Sequence, residues 1–375
     1  MKVMHVIDSD GVYGAEVMLL NLMKEHAKMG LDPVLFSIES SDKPGGTSLS
    51  EEAQIKGLTT IRQKSAGGFS LKMGLDIMRI AGEHGISLIH SHGYKGDILL
   101  GIFPRFMRKI PLISTVHGFT AVRRFTKIWF YFLLDKFFLR RMDAVVNVNS
   151  TTKISTGRAE RFTIENGIPP LKFIDLNCIA GADCAISRFC KEGFIVGTIS
   201  RLSPEKGVGY LIEAVGSLVA RGVNVKAVII GEGSQKEHFQ KLILRSDLSE
   251  RVLLAGYRNE AFNYLPFFDV FVLPSLTEGF PIAILESMQA GVPIVATNVG
   301  GVPDLLGKGI YGAIVEPGRS EALAEAIWRV SSEPDSARKM AGGAKRIALS
   351  EYTSRRMAEK YLKVYETVLT KWNQQ

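Results

Sequence analysis

Short apolar runs alternate with helix-like stretches along most of the sequence, and this pattern constrains the fold more than any other feature. Strand-like runs lie at 3–8, 33–38, 87–90, 111–116 and 144–148 in the first half, and at 194–199, 226–230, 252–255, 270–273, 293–296 and 313–315 in the second. Continuous apolar strands separated by helices are typical of parallel sheets that helices cover on both faces. With right-handed crossovers, the pattern predicts two α/β domains, each doubly wound in the Rossmann manner.

The boundary between the two predicted domains lies where the periodicity fades, between 169 and 193. We predict an N-terminal domain at 1–175, a linker at 176–192 and a C-terminal domain at 193–351. The last predicted element is an amphipathic helix, in which apolar residues recur at helical spacing. These residues are Met357, Tyr361, Val364, Tyr365 and Val368.

The positive charge of the chain is unevenly distributed. The net charge is +8 at pH 7, and from Lys56 to Arg141 there are 15 Lys and Arg against 4 Asp and Glu, an excess of 11. Such an excess attracts phosphates, nucleic acid or an anionic membrane. The sequence contains no RNP motif, zinc finger or basic-region heptads, so we predict no nucleic-acid partner. An anionic membrane surface or a phosphorylated acceptor is the favoured partner.

The sequence also restricts the cellular compartment. No apolar run approaches the roughly 18 residues that cross a bilayer, and the first residues, MKVMHVIDSDG, have the pattern of a buried strand and not of a secretory signal. Cys178, Cys184 and Cys190 are spaced six residues apart, which matches no zinc-binding motif. We therefore expect free thiols and a cytoplasmic protein, soluble or peripheral at the inner face of the cell membrane.

The segment TEGFPIAILE at 277–286 predicts a site for a nucleotide sugar. It follows the strand at 270–273 and begins a helix, in which Pro281 suits the first position. The free N–H groups of a helix start favour an anion. Glu278 in the loop and Glu286 about one turn inside the helix suit sugar hydroxyls better than phosphate. A diphosphate flanked by a ribose and a hexose fits this combination.

A second segment, SRLSPEKG at 200–207, follows the first strand of the C-terminal domain. Arg201 can form a bidentate contact with a phosphate, and Lys206 supplies a mobile point charge. Their predicted role is to stabilise the negative charge on a leaving nucleotide diphosphate. Gly231 and Gly233, after the strand at 226–230, permit close approach of the backbone to a nucleotide.

These motifs resemble those of the retaining glycosyltransferases of family 4. The two glutamates with seven residues between them, the EGFP sequence and the R-L-x-P-E-K-G sequence all match the family. In the N-terminal domain, GVYGAE at 11–16 resembles the family's glycine loop, with Tyr13 where a Gly is common, and TVHG at 115–118 matches its T-x-H-G motif. ENGI at 165–168 and GGVPD at 300–304 each depart from the family pattern by one residue. Asn166-Gly167 is predicted to form a turn, and Asp304 receives no specific role.

The resemblance implies a GT-B fold, with two Rossmann-like domains facing each other across a cleft and a helix at 352–375 that crosses back to the first domain. The first domain would bind the acceptor and the second the nucleotide sugar. The implied catalytic residues are His117, Arg201, Lys206 and Glu278, and the implied donor-binding residues are Gly14, Gly231, Gly233, Gly279, Phe280, Pro281 and Glu286. Glu286 would bind the ribose, and Glu278 and His117 the transferred sugar.

The resemblance further implies retaining transfer of a hexose to a hydroxyl of a glycan or lipid-linked acceptor, in the synthesis of cell-surface polysaccharide or glycolipid. Asp8-Ser9-Asp10 is a D-x-D sequence, the spacing by which another glycosyltransferase architecture binds a divalent metal. We interpret it as incidental and predict no metal and no cofactor besides the nucleotide-diphosphate sugar as co-substrate. A GT-B nucleotide-sugar epimerase and a non-catalytic binding or scaffold protein remain alternatives.

The aromatic segment at 123–141 permits two interpretations. The favoured one is a buried helix whose apolar stripe packs on the first sheet. The other is an interfacial helix with basic residues at the lipid headgroups and aromatic residues at the membrane boundary. Arg105, Arg108 and Lys109 support membrane contact.

Overall fold

A computed structural model describes residues 1–9, 11, 13–40, 48–65, 70–118, 126–152, 155–174 and 184–374. Of the residues considered above, Asp10, Val12, Cys178 and the segment 123–125 lie outside the described residues. The chain forms two compact units, one made of residues 1–169 and 353–375 and the other of residues 170–352.

The first unit contains a seven-stranded sheet in the order β3-β2-β1-β4-β5-β6-β7, with all strands parallel. The strands are β1 (Lys2–Ser9), β2 (Asp32–Ser40), β3 (Thr59–Ser65), β4 (Leu88–His92), β5 (Leu112–Val116), β6 (Ala144–Asn147) and β7 (Glu160–Thr163). The described helices before residue 169 are α1 (Gly14–Lys28), α2 (Leu49–Ile55), α3 (Leu71–Glu83), α4 (Tyr94–Gly101), α5 (Arg105–Arg108) and α6 (Lys127–Leu139).

Two strands of this sheet, β3 and β7, were not predicted from the sequence, and they are its two edges. An edge strand packs less apolar surface than a central one. In β7 the sequence ERFT alternates between half-buried and exposed residues, and β3 contains Arg62 and Lys64. A search for continuous apolar runs therefore finds the central strands and misses the edges.

Apolar side chains cover both faces of the first sheet. Met4 and Val6 of β1 belong to the core on one face, and Ile7 packs with Leu19 and Met23 of α1 on the other. This alternation follows from the strand period of two residues. Helices on both faces are what a parallel sheet requires.

A C-terminal helix, Ser354–Asn373, completes the first unit. The five apolar residues predicted at helical spacing, from Met357 to Val368, are all buried. The Nε2–H of His26 in α1 donates to the carbonyl oxygen of Ala358 at 3.0 Å, and the N–H of Ser354 donates to Ile168 O at 3.0 Å. The prediction that this helix returns to the first domain is confirmed.

The second unit contains a six-stranded parallel sheet in the order β10-β9-β8-β11-β12-β13. The strands are β8 (Phe194–Ile199), β9 (Val225–Ile230), β10 (Val252–Gly256), β11 (Val270–Leu273), β12 (Ile294–Thr297) and β13 (Ala313–Val315). The helices are α7 (Cys184–Phe189), α8 (Val208–Ala220), α9 (Lys236–Arg245), α10 (Ile282–Ala290), α11 (Val302–Leu305), α12 (Ser320–Ser332) and α13 (Pro334–Ser350).

All six strands of the second sheet lie where the apolar runs predict them, and both sheets confirm the doubly wound prediction. The strand order reverses between β1 and β4 in the first sheet and between β8 and β11 in the second. In open α/β sheets, ligands bind at the carboxyl ends of the strands at such a switch point. The topology therefore indicates one candidate position in each unit.

The segment predicted as a linker contains α7, a helix of six residues. Cys190 follows this helix as a free, half-buried thiol, and burial raises its pKa to about 11. Among the described helices, none is both long and apolar enough to cross a membrane.

Candidate active site

The switch point of the second sheet brings a lysine and a glutamate into contact. Lys206 lies in the loop after β8, and Glu278 lies in the loop after β11. The Nζ of Lys206 donates to Oε1 of Glu278 at 2.7 Å, and the Oγ of Ser275 donates to the same oxygen at 2.6 Å. Because the Glu278 side chain is only 8% exposed, water screens this ion pair weakly.

Arg201 lies in the same loop as Lys206 and also contacts a carboxylate. Its guanidinium donates to Oε1 of Glu205 at 2.7 Å, and the Oγ of Ser203 donates to that oxygen at 2.6 Å. Burial raises the pKa of Glu205, but the hydrogen bonds from Ser203 and Arg201 outweigh it, so the pKa lies below the usual value. Glu205 is therefore ionised at neutral pH. The N–H of Leu276 donates to the carbonyl oxygen of Glu205 at 2.8 Å and joins the two loops.

Helix α10 begins one residue later than the sequence predicts. Pro281 has extended backbone angles and is the N-cap, and the first helical residue is Ile282. Phe280 is buried, with its ring 5.8 Å from that of Tyr352. The difference is small because proline fixes φ but leaves ψ free to remain extended.

Glu286 lies in the second turn of α10 and is half-buried. Its carboxyl group has no hydrogen-bond or ion-pair partner within the described ranges. Desolvation raises the pKa of Glu286 to about 7. An unpaired, partly desolvated carboxyl group beside the Glu278 loop is suited to accept hydrogen bonds from a ligand's hydroxyl groups.

Close backbone packing brings further loops to this edge. The N–H of Gly231, after β9, donates to the carbonyl oxygen of Gly256 at 2.9 Å. A Cβ at Gly231 would lie 1.9 Å from Ser200 O, and a Cβ at Gly233 would lie 2.3 Å from Leu202 O. Only glycine permits this approach of the 231–233 turn to the loop that contains Arg201 and Lys206.

The loop after β12 supports the Glu278 loop in the same way. The N–H of Gly301 donates to the carbonyl oxygen of Gly279 at 2.8 Å. Gly300 has a φ of +54°, and a Cβ there would lie 2.0 Å from the carbonyl oxygen of Glu278. The G-G pair at 300–301 therefore fixes the backbone on which Glu278 and Gly279 are placed.

The switch point of the first sheet contains Gly14. Gly14 is the exposed first residue of α1, preceded by Tyr13 as the N-cap. The N–H of Tyr13 donates to Oε2 of Glu16 at 3.1 Å, and the Oγ of Ser9 donates to Oε1 of Glu16 at 3.2 Å. This capping arrangement orders the start of the helix at the carboxyl end of β1.

Asp8 of the D-x-D sequence forms a salt bridge in the first unit. The Nζ of Lys95 donates to Oδ1 of Asp8 at 2.8 Å. Asp10, the second carboxylate of the sequence, lies outside the described residues. The expectation that this sequence is incidental stays a prediction.

His117 follows β5 directly and is half-buried. Its Nε2 lies 3.2 Å from Nδ1 of His92. Burial lowers the pKa of His117 to about 4, so the ring is neutral at pH 7. A neutral imidazole offers one N–H and one lone pair, which suits orientation of a polar ligand better than charge stabilisation.

Three other histidines of the first unit have ligand atoms close enough to hold a metal ion. Ring nitrogens of His5, His90 and His92 lie within 4.8 Å of one another. Both nitrogens of His90 are already hydrogen-bonded, Nδ1 to the hydroxyl of Tyr365 and Nε2 to the hydroxyl of Thr115, each at 2.7 Å. Metal ligation by His90 would require the loss of one of these buried hydrogen bonds.

Helix α6 exposes an apolar stripe. Phe130, Leu133, Leu134 and Phe137 follow the helical spacing of one face and are 44–53% exposed. The opposite face is buried through Asp135, Phe138 and Leu139. The helix thus has an exposed apolar face in addition to its buried face, and the sequence interpretation of a buried stripe accounts only for the buried face.

The predicted site residues thus form two groups. The second unit holds Arg201, Lys206, Gly231, Gly233, Glu278, Gly279, Phe280, Pro281 and Glu286, and the first unit holds Gly14 and His117. Sequence reasoning gave no role to Ser275 or Glu205, which bind Glu278 and Arg201 respectively. The signal available in the sequence was their position, since Glu205 lies inside the motif at 200–207 and Ser275 lies two residues before the motif at 277–286.

Two family models match the chain. A model described as "Glycosyl transferases group 1" matches residues 184–347, and one described as "Glycosyltransferase Family 4" matches residues 12–169. The chain belongs to the group 1, family 4 glycosyltransferases.

Curated relatives of this glycosyltransferase act on different sugars. The chain described here is 32% identical over 176 residues to alpha-D-kanosaminyltransferase of Streptomyces kanamyceticus. This match spans 46% of this chain and 46% of the relative, so it covers about half of the relative's length. The chain is 26% identical over 275 residues to the UDP-Gal:alpha-D-GlcNAc-diphosphoundecaprenol alpha-1,3-galactosyltransferase of Escherichia coli, which spans 70% of this chain and 71% of the relative.

Solved glycosyltransferases share the fold. The structure of HepE from Anabaena, in complex with UDP and glucose, superposes with a TM-score of 0.83 at 20% identity, and the match covers 98% of this chain and 100% of that one. The glycosyltransferase described here therefore has the two-domain α/β GT-B fold.

Proposed function

We propose that this glycosyltransferase moves a hexose from a nucleotide-diphosphate sugar to a hydroxyl of a glycan or lipid-linked acceptor. We further propose retention of the anomeric configuration, independence of metal ions, and a place in cell-surface polysaccharide or glycolipid synthesis. The observation that supports the proposal most directly is the Lys206–Glu278 pair at the switch point of the second sheet. The E. coli relative's name includes UDP-Gal, and HepE was crystallised with UDP and glucose.

In this proposal Lys206 changes partner when the donor binds. A diphosphate carries more negative charge than one carboxylate, so it competes for the Nζ of Lys206 and for the exposed guanidinium of Arg201. Glu278 is then free to accept hydrogen bonds from sugar hydroxyls. The two cations supply the charge that stabilises the departing diphosphate, and no metal is required for that role.

The remaining residues bind the other parts of the donor. Glu286 accepts hydrogen bonds from the ribose hydroxyls, because its carboxyl group has no partner in the described part of the chain. The backbones of Gly279, Phe280 and Pro281 at the start of α10 contact the sugar or phosphate, and the turn with Gly231 and Gly233 contacts the nucleotide. In the first unit, Gly14 lets the backbone approach the donor phosphate or the acceptor, and His117 binds the donor sugar.

The proposed reaction is a direct displacement on one face of the sugar. The acceptor oxygen forms a bond to the anomeric carbon while the bond from that carbon to the diphosphate oxygen breaks. The nucleotide diphosphate leaves with the electron pair, and the acceptor proton passes to the departing phosphate oxygen. No side chain serves as a covalent nucleophile in this scheme.

The test of the diphosphate site is donor turnover by the Lys206→Ala variant. Binding and hydrolysis of UDP-, GDP- and ADP-sugars are measured with EDTA present. We expect one donor to be turned over and the variant to lose about 100- to 1000-fold in rate, as for removal of one charge-stabilising group. Lys360→Ala is the control, because Lys360 makes the same 2.7 Å pair with a glutamate, Glu165. Activity only with added Mn²⁺ would contradict metal independence.

Product analysis distinguishes the alternatives. NMR of the glycoside formed from an α-linked donor should show the α anomer, and a β anomer would rule out retention. A changed nucleotide sugar released without any acceptor would indicate an epimerase. Failure of every donor to bind would indicate a binding or scaffold protein.

We also propose that the first unit attaches to an anionic membrane surface through α6 and α5. The exposed stripe of α6 supplies apolar area. At the edge of this stripe, the guanidinium of Arg141 lies 5.0 Å from the centre of the Phe137 ring. In α5, Phe106 is 80% exposed beside the exposed Arg105 and Lys109, whereas Arg108 is buried and its guanidinium donates to Asp143 at 2.7 Å. Apolar side chains next to Lys and Arg are the combination that binds anionic lipid interfaces.

A further inference from the structure

Four histidines lie on one face of the first sheet. His5 is in β1, His90 and His92 are in β4, and His117 follows β5 directly. These strands are neighbours, and their register pairs His5 with His90 and His92 with Thr115, two residues before His117. His5, His90 and His92 are at most 3% exposed, so their ring nitrogens depend on other protein groups for hydrogen bonds.

Three of the rings form a continuous hydrogen-bonded chain. Nδ1 of His5 lies 3.1 Å from Nε2 of His92, and Nδ1 of His92 lies 3.2 Å from Nε2 of His117. Burial lowers the pKa of His5 and of His92 well below the usual histidine value, and it lowers the pKa of His117 to about 4. At pH 7 each imidazole is therefore neutral and has one N–H and one lone pair.

Neutrality leaves only two proton arrangements along this chain. Because His92 has a single proton, it donates to one neighbour and accepts from the other. In the first arrangement all three rings carry the proton on Nδ1, and donation runs from His5 through His92 to His117. In the second all three carry it on Nε2, and donation runs in the opposite direction.

The environment of His5, at one end of the hydrogen-bonded histidine series, distinguishes the two arrangements. Nε2 of His5 is buried and has no hydrogen-bond partner among the described residues. The first arrangement leaves a lone pair at this atom, whereas the second leaves an N–H. Buried N–H groups without an acceptor are rarer in proteins than acceptors without a donor. The first arrangement is therefore favoured.

His117, at the other end of the hydrogen-bonded series, is half-buried. Nδ1 of His117 has no partner in the ranges that the structure describes, and it is not among the buried unsatisfied atoms. Under the first arrangement this atom bears the proton. His117 then offers an N–H at the carboxyl edge of the first sheet.

We propose that His5 and His92 are positioning residues that hold His117 as the Nδ1–H tautomer, so that His117 meets a bound sugar as a hydrogen-bond donor. The identity of the ligand rests on the proposed function, but the tautomer does not. A sugar oxygen that accepts a hydrogen bond is then preferred opposite His117.

The first test is the tautomer of each ring in the unliganded wild-type protein. Two-bond ¹H–¹⁵N correlation spectra of protein labelled with ¹⁵N-histidine are recorded at pH 7. We expect His5, His92 and His117 to show the Nδ1–H pattern. The Nε2–H pattern, or rapid exchange between the two tautomers, at His92 or His117 would overturn the proposal.

The second test is the His92→Phe variant, which removes the middle of the chain. We expect His117 to lose its fixed tautomer, and kcat/KM for the sugar donor to fall about tenfold, the equivalent of one hydrogen bond of about 1.4 kcal/mol. Thr115→Val is the matched control, because it removes a contact to His90 on the same face and leaves the chain intact. Equal losses in both variants with an unchanged His117 spectrum would overturn the proposal.

The two proposals can fail separately. If the wild-type spectra show the Nδ1–H tautomer but no nucleotide sugar shifts the His117 signals, the inference about the tautomer stands and the assignment of His117 to the sugar is wrong.

Discussion

At the scale of single residues, Glu286 has the clearest pH-dependent behaviour in the second unit. Desolvation raises its pKa to about 7, so it changes charge near neutrality. The pKa of Glu286 is higher in the folded than in the unfolded protein, so its protonated form stabilises the folded state. This contribution to the free energy of unfolding is fully present below the unfolded pKa. That contribution is lost as the pH rises through about 7.

We predict that Glu286→Gln removes this pH dependence. Between pH 6 and pH 8 the unliganded wild type should lose about 1 kcal/mol of stability that the variant retains. Nucleotide affinity of the wild type should rise over the same range, because the ionised carboxylate accepts hydroxyl hydrogen bonds better. Urea denaturation and nucleotide titration at the two pH values measure both effects. Parallel pH profiles for the two proteins would contradict the raised pKa.

A second residue-scale prediction concerns Gly300. Gly300→Ala places a Cβ 2.0 Å from the carbonyl oxygen of Glu278, and the φ of Gly300 is +54°. Gly222→Ala is the matched control, because its φ is +80° with nothing within 4 Å of the new Cβ. Both variants pay about 1–2 kcal/mol for the positive φ.

Only Gly300→Ala should also displace the Glu278 loop and lower kcat/KM for the donor at least tenfold. Thermal denaturation and donor kinetics of the two variants measure the difference. The same kinetics in both would show that the contact between Gly300 and Glu278 has no influence on the site.

At this scale the sequence predicted charged residues better than their partners. Arg201, Lys206 and Glu278 were found because they stand in motifs beside strand ends. Their partners Glu205 and Ser275 lie in or beside these motifs, but a motif does not state which side chains contact each other, and contacts across 72 positions, such as Lys206 to Glu278, depend on the strand order. His5 lies 87 positions from His92 and belongs to no motif.

At the scale of elements, α6 is the helix whose exposed face has no explanation within the described fold. We predict that the double variant Phe130→Ser/Phe137→Ser loses most binding to vesicles containing phosphatidylglycerol. Each substitution removes a phenylalanine side chain, whose full burial contributes about 1.5–3 kcal/mol of binding free energy. Co-sedimentation at low and high salt measures binding, which salt should weaken.

Exposed apolar residues elsewhere provide the control for α6. Ile55 in α2 and Leu244 in α9 are more exposed than either phenylalanine, so Ile55→Ser/Leu244→Ser should bind vesicles like the wild type. Equal loss in both double variants, or no binding by the wild type, would contradict the membrane proposal.

The C-terminal helix is anchored by a buried hydrogen bond, and its loss should be measurable. Tyr365→Phe removes the hydroxyl 2.7 Å from Nδ1 of His90 and leaves that buried nitrogen without a partner. We predict a loss of about 1–3 kcal/mol in stability. The hydroxyl of Tyr361 lies 3.0 Å from Oγ1 of Thr115. Tyr361→Phe should cost less, because Thr115 keeps its contact with His90 when that hydroxyl is removed. Urea denaturation followed by tryptophan fluorescence tests this order, and a reversed order would contradict it.

The predictability of elements followed their burial. All strands of the second sheet and the five central strands of the first were predicted from apolar runs. The edge strands β3 and β7 were not, because half of their residues face solvent. The sequence also could not predict that α6 has a buried and an exposed face, because both faces contain apolar residues and the pattern does not show which of them is covered.

At the scale of the whole molecule, the alternation of strands and helices was sufficient to predict two doubly wound units. It could not assign the C-terminal helix to the first unit, because periodicity records which face of a helix is apolar and not what covers it. That assignment came from the family resemblance. The excess of 11 positive charges at 56–141 lies entirely within the first unit, so any attraction to anionic surfaces should act mainly on that unit.

The return of the chain to the first unit at Thr353 has a consequence for biosynthesis. A ribosome completes residues 170–352 before it supplies the helix that covers His26 and His90. The unit that begins first is therefore finished last, against the usual order in which N-terminal domains fold first. Until then the nascent chain exposes polar and apolar groups that chaperones recognise. A stalled or shortened message would yield a complete second unit and a first unit without its C-terminal helix.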